Sequence, residues 1–316
     1  MRAFLSACLL IAGAASAQPY PAKPVRVLVG FAPGGAVDVV ARLLQPRLGQ
    51  AFGREILIEN RPGAAGVLAA ELTARAAPDG YTFGLINHAA VVISPAMTSV
   101  PYDPLHDFTP VARVVEVQNI VLAHPSLGAR DLQHLVAMAK ARPGALNYAT
   151  SGTGSAGHLA GELFRRRSGV DWVHVPYKGG GPAMTDFLGS RVEVFIATTS
   201  TALPAIAQGK ARALAVSGKR RAGALPEVPT IAESGWPDFE ATAWFAVMGP
   251  ARLPPSIVER WQREIIALLA LPEIRQALLD RGMEPFPATA SELADYLRRD
   301  TAKWGPVVRG LGLRAN

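Results

Sequence analysis

The residues whose types and spacing could do chemistry lie in mid-chain: Thr150-Ser151-Gly152-Thr153-Gly154-Ser155-Ala156-Gly157-His158. They follow a short strand-like run, Leu146 to Ala149, and open directly into an amphipathic pattern, Leu159 to Arg167. A Gly/Ser/Thr turn that feeds a helix start leaves backbone N–H groups unpaired, and the helix dipole favours negative charge in front of them. The chemistry on offer is anion binding. The literal pattern, Gly152-x-Gly154-x-x-Gly157, is also that of a dinucleotide-binding turn, which needs an acid at the far end of the next strand to hold a ribose. Asp171 stands before the strand Trp172 to Val175, and that strand ends on Val175-Pro176. No nucleotide cofactor is expected.

Catalysis finds little support. Thr153-Gly154-Ser155-Ala156-Gly157 misses the hydrolase pattern Gly-x-Ser-x-Gly at its first residue, so an α/β hydrolase using Ser155 is the runner-up. The 6 histidines (His88, His106, His124, His134, His158, His174) are scattered without i,i+4 metal spacing. The only cysteine is Cys8. Neither a catalytic residue nor a metal site is assigned, and no enzyme activity is expected.

A second turn of the same type, Phe31-Ala32-Pro33-Gly34-Gly35, follows the strand Val25 to Val29 and precedes a helical pattern, Val37 to Leu48. Gly34 and Gly35 would let the backbone approach a ligand. For Asp38, in the first helical turn, two readings stand open: dipole complementation, or orientation of a bound water or of the loop. Of Ser151, Thr153 and Ser155, at least one is expected to cap the helix and one or two to touch ligand. His158 either faces the crevice or packs on a neighbouring loop. Tyr177 reads as a cleft wall, and Lys178 as solvated or anion-pairing. Trp244 and Phe245 read as core, with ring stacking on a ligand the alternative.

These turns need a scaffold of strand ends. Ile56 to Ile58 and Tyr81 to Ile86 are strands around a small-residue helix, Gly66 to Ala76, and this β-α-β-α-β order predicts a parallel sheet covered by helices. Ser94 to Pro110 is irregular. Val111 to Ala123 is an apolar strand long enough to pass between lobes, and the alternation then restarts through Leu132 to Ala141, Val192 to Ala197 and Ala211 to Ser217. Thr242 to Met248 is a return crossing. Ser256 to Glu259 and Thr289 to Glu292 read as capping boxes for the last two helices, ending at Leu271 and near Trp304. The expectation is two α/β lobes, each a mainly parallel sheet flanked by helices, joined by two crossover strands. Lobe one is residues 18–118 and 238–316; lobe two is residues 119–237. In open α/β sheets ligands sit beyond the carboxyl ends of the strands, so the two turns would oppose each other across a hinge.

Residues 1–17 read as a secretory signal peptide: Arg2, the apolar run Ala3 to Ala15, and the cleavage site Ala15-Ser16-Ala17. The run is shorter than the roughly 20 residues a membrane span needs. Cys8 leaves with this leader, so the mature chain has no disulfide and must be held by its core. Losing Arg2 takes the formal charge from +7 to +6. The clusters Arg165 to Arg167 and Lys219 to Arg221 lack interleaved aromatic residues, so no nucleic-acid partner is expected. A mildly positive field attracts small anions.

Several ordered stretches carry a resemblance: Tyr20 to Val27, Phe31 to Arg42, Glu59 to Gly66, Ala77 to Thr82, Tyr102-Asp103 with Asp107 to Val111, His158 to Phe164, His174 to Gly180, Leu225 to Thr230 and Lys303 to Gly305. From Gln18 to the C-terminus the chain resembles the Bug family, the extracytoplasmic solute receptors of tripartite tricarboxylate transporters. The resemblance implies a two-lobed periplasmic binding protein, type II-like, that closes over a small organic carboxylate. It implies ligand contacts at Ala32, Pro33, Gly34, Gly35 and Asp38 in lobe one, and at Ser151, Gly152, Thr153 and Ser155 in lobe two; His158 and Tyr177 join the candidate contacts from their own positions in the chain. Its implied partner is a membrane permease of a large and a small subunit, served by a monomeric receptor; a sensory receptor with a signalling partner is an alternative. One departure stands out. Many family members carry an aspartate after the strand Val192 to Phe195, whereas this chain reads Ile196-Ala197-Thr198-Thr199-Ser200. The three hydroxyls of Thr198, Thr199 and Ser200 would then suit a second carboxylate or an uncharged polar group.

Overall fold

The structure is a computed structural model that describes residues 20–177 and 179–310. The expected signal peptide and cleavage site lie outside the described residues, as does Lys178. In chain order the first elements are β1 (Val25–Val29), α1 (Ala36–Phe52), β2 (Ile56–Asn60), α2 (Val67–Ala74), β3 (Thr82–Asn87), α3 (Ser94–Met97) and β4 (Phe108–Val117). Then come β5 (Asn119–Ala123), α4 (Leu132–Ala141), β6 (Asn147–Thr150), α5 (Ala156–Ser168), β7 (Val173–Pro176), α6 (Gly180–Leu188), β8 (Val194–Thr198), α7 (Thr199–Ala207) and β9 (Arg212–Val216). The chain closes with β10 (Ala243–Pro250), α8 (Pro255–Ala270), α9 (Pro272–Leu279), β11 (Glu284–Ala288) and α10 (Ala290–Gly310).

Two sheets result, ordered β11-β4-β10-β3-β1-β2 and β7-β6-β8-β5-β9. β1 pairs in parallel with β2 and β3, while β10 is antiparallel to both β3 and β4, and β11 is antiparallel to β4. So β10 and β11 oppose the other strands of the first sheet. In the second sheet β6 is parallel to β7 and β8, and β5 alone runs against the rest. This is the expected α/β architecture of two helix-flanked sheets, but both are mixed rather than mainly parallel: four of the nine strand pairings are parallel and five antiparallel. The reversed strands β5 and β10 are where the chain enters each sheet after a crossing.

The apolar run Val111 to Ala123 is two strands, broken at Gln118. Gln118 is buried, and its carbonyl leaves the ladder to accept the Thr199 N–H and Oγ1–H, both at 2.9 Å. Its side chain donates to the Arg220 carbonyl at 3.1 Å and accepts the Gly218 N–H at 3.2 Å. Ser217 Oγ accepts the Asn119 N–H at 2.9 Å and donates to the Ala241 carbonyl at 2.7 Å. The two crossings are thus stitched side by side by buried polar bonds, which cost heavily to break where no water can replace them.

Beneath the first sheet Trp261 is fully buried against Phe83 and Phe52, with ring centroids 4.3 and 4.7 Å away. The capping box at α10 forms as expected: the Thr289 N–H donates to Glu292 Oε2 at 2.8 Å and the Glu292 N–H to Thr289 Oγ1 at 3.3 Å. The box expected at Ser256 does not. α8 begins one residue earlier, at Pro255, whose fixed φ suits the first helical position. α9 and β11 carried no sequence expectation, and Ser94–Met97 is helical where irregular chain was expected.

Candidate functional site

The loops after β1, β2 and β3 of one sheet and after β6, β7 and β8 of the other converge between the sheets. Gly30, just after β1, lies against the loop after β2: a Cβ there would stand 2.6 Å from Gly66 Cα. That loop holds Ala64 and Ala65 at φ 46° and 56°, a left-handed backbone that costs a non-glycine residue about 1–2 kcal/mol. Asn87 Nδ2 steadies it by donating to the Ala65 carbonyl at 3.1 Å.

The loop after β1 is held from below by Asp38. This carboxylate is 1% exposed and accepts the Gly34 N–H at 2.8 Å, Asn60 Nδ2 at 2.8 Å and Arg42 Nε at 2.9 Å. Burial alone would push its pKa up; the bonds from Arg42, Gly34 and Asn60 outweigh that and hold it below the ordinary value. Of the two readings open in the sequence, the structure gives loop orientation. Gly34 adopts φ +83°, which favours glycine.

In the turn after β6, each glycine of Gly152-x-Gly154-x-x-Gly157 has a mechanical reason. Gly152 (φ +131°) and Gly154 (φ +75°) take left-handed turn conformations, and a Cβ on Gly157 would meet the Ile196 carbonyl oxygen at 2.2 Å. The third glycine therefore lets α5 press onto β8, the same packing role it has in dinucleotide-binding turns. Ser155 is the α5 cap, its Oγ accepting the His158 N–H at 3.2 Å. His158 is buried at 4% exposure; its Nδ1 accepts the Gly154 N–H at 3.0 Å, and its ring stacks on His174 at 3.9 Å. His174 Nε2 in turn lies 2.7 Å from Thr150 Oγ1. Burial lowers both histidine pKa values, His174 to about 4, helped there by its neighbour His158. Two neutral imidazoles thus hold the turn in shape.

Two cavities lie between the sheets. One, of about 520 Å³, is lined by Ala64, Ala65 and Val67, by the segment from Ile93 to Val100, and by Gly152, Thr153, Gly154, Pro176 and Tyr177. The other, of about 540 Å³, lies between Gly34, Gly35 and Val39 on one side and Thr198, Ser200 and Thr201 on the other, with Asp280 and Arg281 also on its wall. Gly34 and Gly35 line the second cavity, and Gly152 and Gly154 the first. Tyr177 donates its O–H to Asp186 at 2.9 Å, so what it offers the first cavity is its ring.

Of the residues singled out from sequence, Gly152, Thr153 and Tyr177 line the first cavity, and Gly34, Gly35 and Thr198 the second. Ala32, Pro33 and Ser151 line neither, and Ala32 and Pro33 are exposed. Asp38, Ser155 and His158 stand behind the turns. Thr199 is buried at the crossing with its hydroxyl spent on Gln118, because β8 ends there and the next side chain points inward. Trp244 is core: it is fully buried and donates to Asp300 at 2.8 Å. Sequence reading missed Ala64, Ala65 and the Ile93-to-Val100 wall. The former had a signal, Gly63 and Gly66 between a strand and a helix. Among the described residues no cluster of three His, Cys, Asp or Glu side chains could hold a metal ion, and no helix is long and apolar enough to cross a membrane.

Comparison with known proteins follows this geometry. Residues 40–313 match the family model "Tripartite tricarboxylate transporter family receptor". The chain is 38% identical over 306 residues to Protein BugT of Bordetella pertussis, covering 96% of this chain and 94% of that one. An R. palustris protein solved with adipate superposes with a TM-score of 0.83 at 33% identity, over 93% of this chain and 99% of that one. MatC from Rhodopseudomonas palustris with bound malate superposes with a TM-score of 0.78 at 32% identity, over 92% of this chain and 100% of that one.

Proposed function

This chain belongs to the tripartite tricarboxylate transporter receptor family, and from that premise we propose that it is a periplasmic solute receptor which captures a small organic carboxylate between two lobes and passes it, unchanged, to the permease subunits of a tripartite transporter. The observation that carries the reading is the pair of glycine turns at strand ends. Each opens a helix and lines a cavity between the sheets, where the positive end of the helix dipole favours an anion, while the N–H groups of Gly34, Gly35, Gly152 and Gly154 are bonded within the turns. Relatives of the same fold were solved with adipate and malate, both carboxylates.

In this reading lobe one is residues 18–118 and 238–316, lobe two is residues 119–237, and the hinge is the stitched pair of crossings at Gln118 and Ala241. Gly34, Gly35, Gly152, Thr153 and Thr198 contact ligand, Tyr177 is a wall, and Ala64 and Ala65 join them. Asp38, Ser155 and His158 set the turns, and Thr199 belongs to the hinge. The receptor is a monomer exported by residues 1–17 and cleaved after Ala17, which the mass of the exported protein checks.

The test is a thermal-shift panel of carboxylates on protein unfolded, stripped of ligand and refolded. A binding acid at a hundred times its Kd adds about 2.7 kcal/mol of stability, and the acid is recovered chemically intact. Flat melting curves across a broad panel, or conversion of the acid, would contradict the proposal.

A further inference from the structure

The first cavity is zoned. Its deeper wall is mainly apolar: Ile93 is 1% exposed, Val67, Met97 and Val100 are half-buried and packed on the hydrophobic core, and the half-buried Ser94 adds one hydroxyl. The Tyr177 ring closes the same wall, its hydroxyl already bonded to Asp186. The hydroxyl side chains Thr98, Ser99 and Thr153 are exposed at the mouth, together with Ala64, Ala65 and Pro176. Met97 also touches the turn after β6: a Cβ on Gly154 would stand 3.0 Å from its Sδ.

We infer that the ligand is a carboxylate carried on an apolar body, aliphatic or cyclic, whose charged end lies at the hydroxyl-bearing mouth beside Gly152–Gly154 and whose body lies against Met97, Val67, Ile93, Val100 and Tyr177. This deepens, and rests on, the carboxylate-receptor reading. Apolar surface gains by leaving water there, and the thioether of Met97 adapts to a ring or a chain. A body carrying hydroxyl groups would leave them without partners against that wall, and an unpartnered buried hydroxyl costs about tenfold or more in affinity. Met97 is then the residue that sets specificity.

The experiment measures Kd by calorimetry for two matched pairs on stripped protein. Adipate is paired with galactarate, its hydroxylated analogue, and cyclohexanecarboxylate with quinate. The expected result is that at least one apolar member binds and that its hydroxylated partner is about a hundredfold weaker or worse, for several buried hydroxyls. Met97→Ser should narrow that gap and Met97→Leu should keep it. A hydroxylated acid that binds as tightly as its apolar partner, or binding by neither apolar member, overturns the inference. The carboxylate reading fails separately: it falls if the amide of the binding acid binds as well as the acid, and it stands if hydroxylated acids bind and their amides do not.

Discussion

Replacing Asp38 with asparagine keeps the shape and removes the charge that organises the loop after β1. The carboxylate serves donors on both oxygens: the Gly34 N–H and Asn60 Nδ2 at 2.8 Å each, with Arg42 Nε across the pair. Asparagine has one acceptor oxygen, so either Gly34 or Asn60 must face an N–H₂ group. An unpaired buried donor costs about 1–3 kcal/mol. Arg42 is 48% exposed, so losing its ion pair adds no more than about 1 kcal/mol after solvent screening. The sum, about 1–4 kcal/mol, should lower the Tm of ligand-free protein by roughly 3–10 °C. The pH dependence has a definite sign. Asp38 titrates below its ordinary 3.8 in the folded state, so its contribution is present above that value and lost as pH falls through the folded pKa. The gap between wild type and Asp38→Asn, followed by circular dichroism, should be full at pH 7 and shrink as the pH drops below 3.8. If Asp38 only complemented the helix dipole, the loss would be a few tenths of a kcal/mol, about 1 °C. A shift that small at pH 7 would refute the loop-holding argument.

Other outcomes follow from the same geometry. Gly157→Ala drives a Cβ into the Ile196 carbonyl oxygen and should cost about 3 kcal/mol or prevent folding, whereas Gly169→Ala, with open space but φ +68°, should cost only about 1 kcal/mol; urea titrations compare them. Thr199→Val removes the bond to the Gln118 carbonyl and should lose about 1 kcal/mol of stability with ligand Kd unchanged; a large Kd change at constant stability would return Thr199 to the ligand site. His174, depressed from 6.5 to about 4, refuses a proton that the unfolded chain accepts, so stability falls as pH drops from 6.5 towards 4. His174→Gln should flatten that part of the stability curve, measured by urea unfolding at several pH values, and an unchanged slope would contradict the assignment.

Much of the architecture was legible because alternation of apolar strands and amphipathic helices is a strong periodic pattern. The crossings were visible as apolar runs, but the break at Gln118 was not, since it depends on partners about a hundred residues away, Arg220 and Gly218. The turns were legible as glycine clusters at strand ends. Which hydroxyl does what was not: Ser155 caps, Thr199 is spent at the crossing, and Thr153, Thr198 and Ser200 reach a cavity. The wall from Ile93 to Val100 had no sequence mark, because a π-helical turn at Ala89–Ile93 aims it and nothing in its residue types announces that turn.

The central claim is that two helix-opening turns and the hydroxyl groups beside them hold a carboxylate between two lobes, so charge on the ligand is essential. Calorimetric titration of stripped protein with a binding acid and with its primary amide tests this directly. The account predicts saturable one-to-one binding by the acid and a loss of at least about a hundredfold, roughly 2.7 kcal/mol, for the amide. Equal affinity for the two would contradict it.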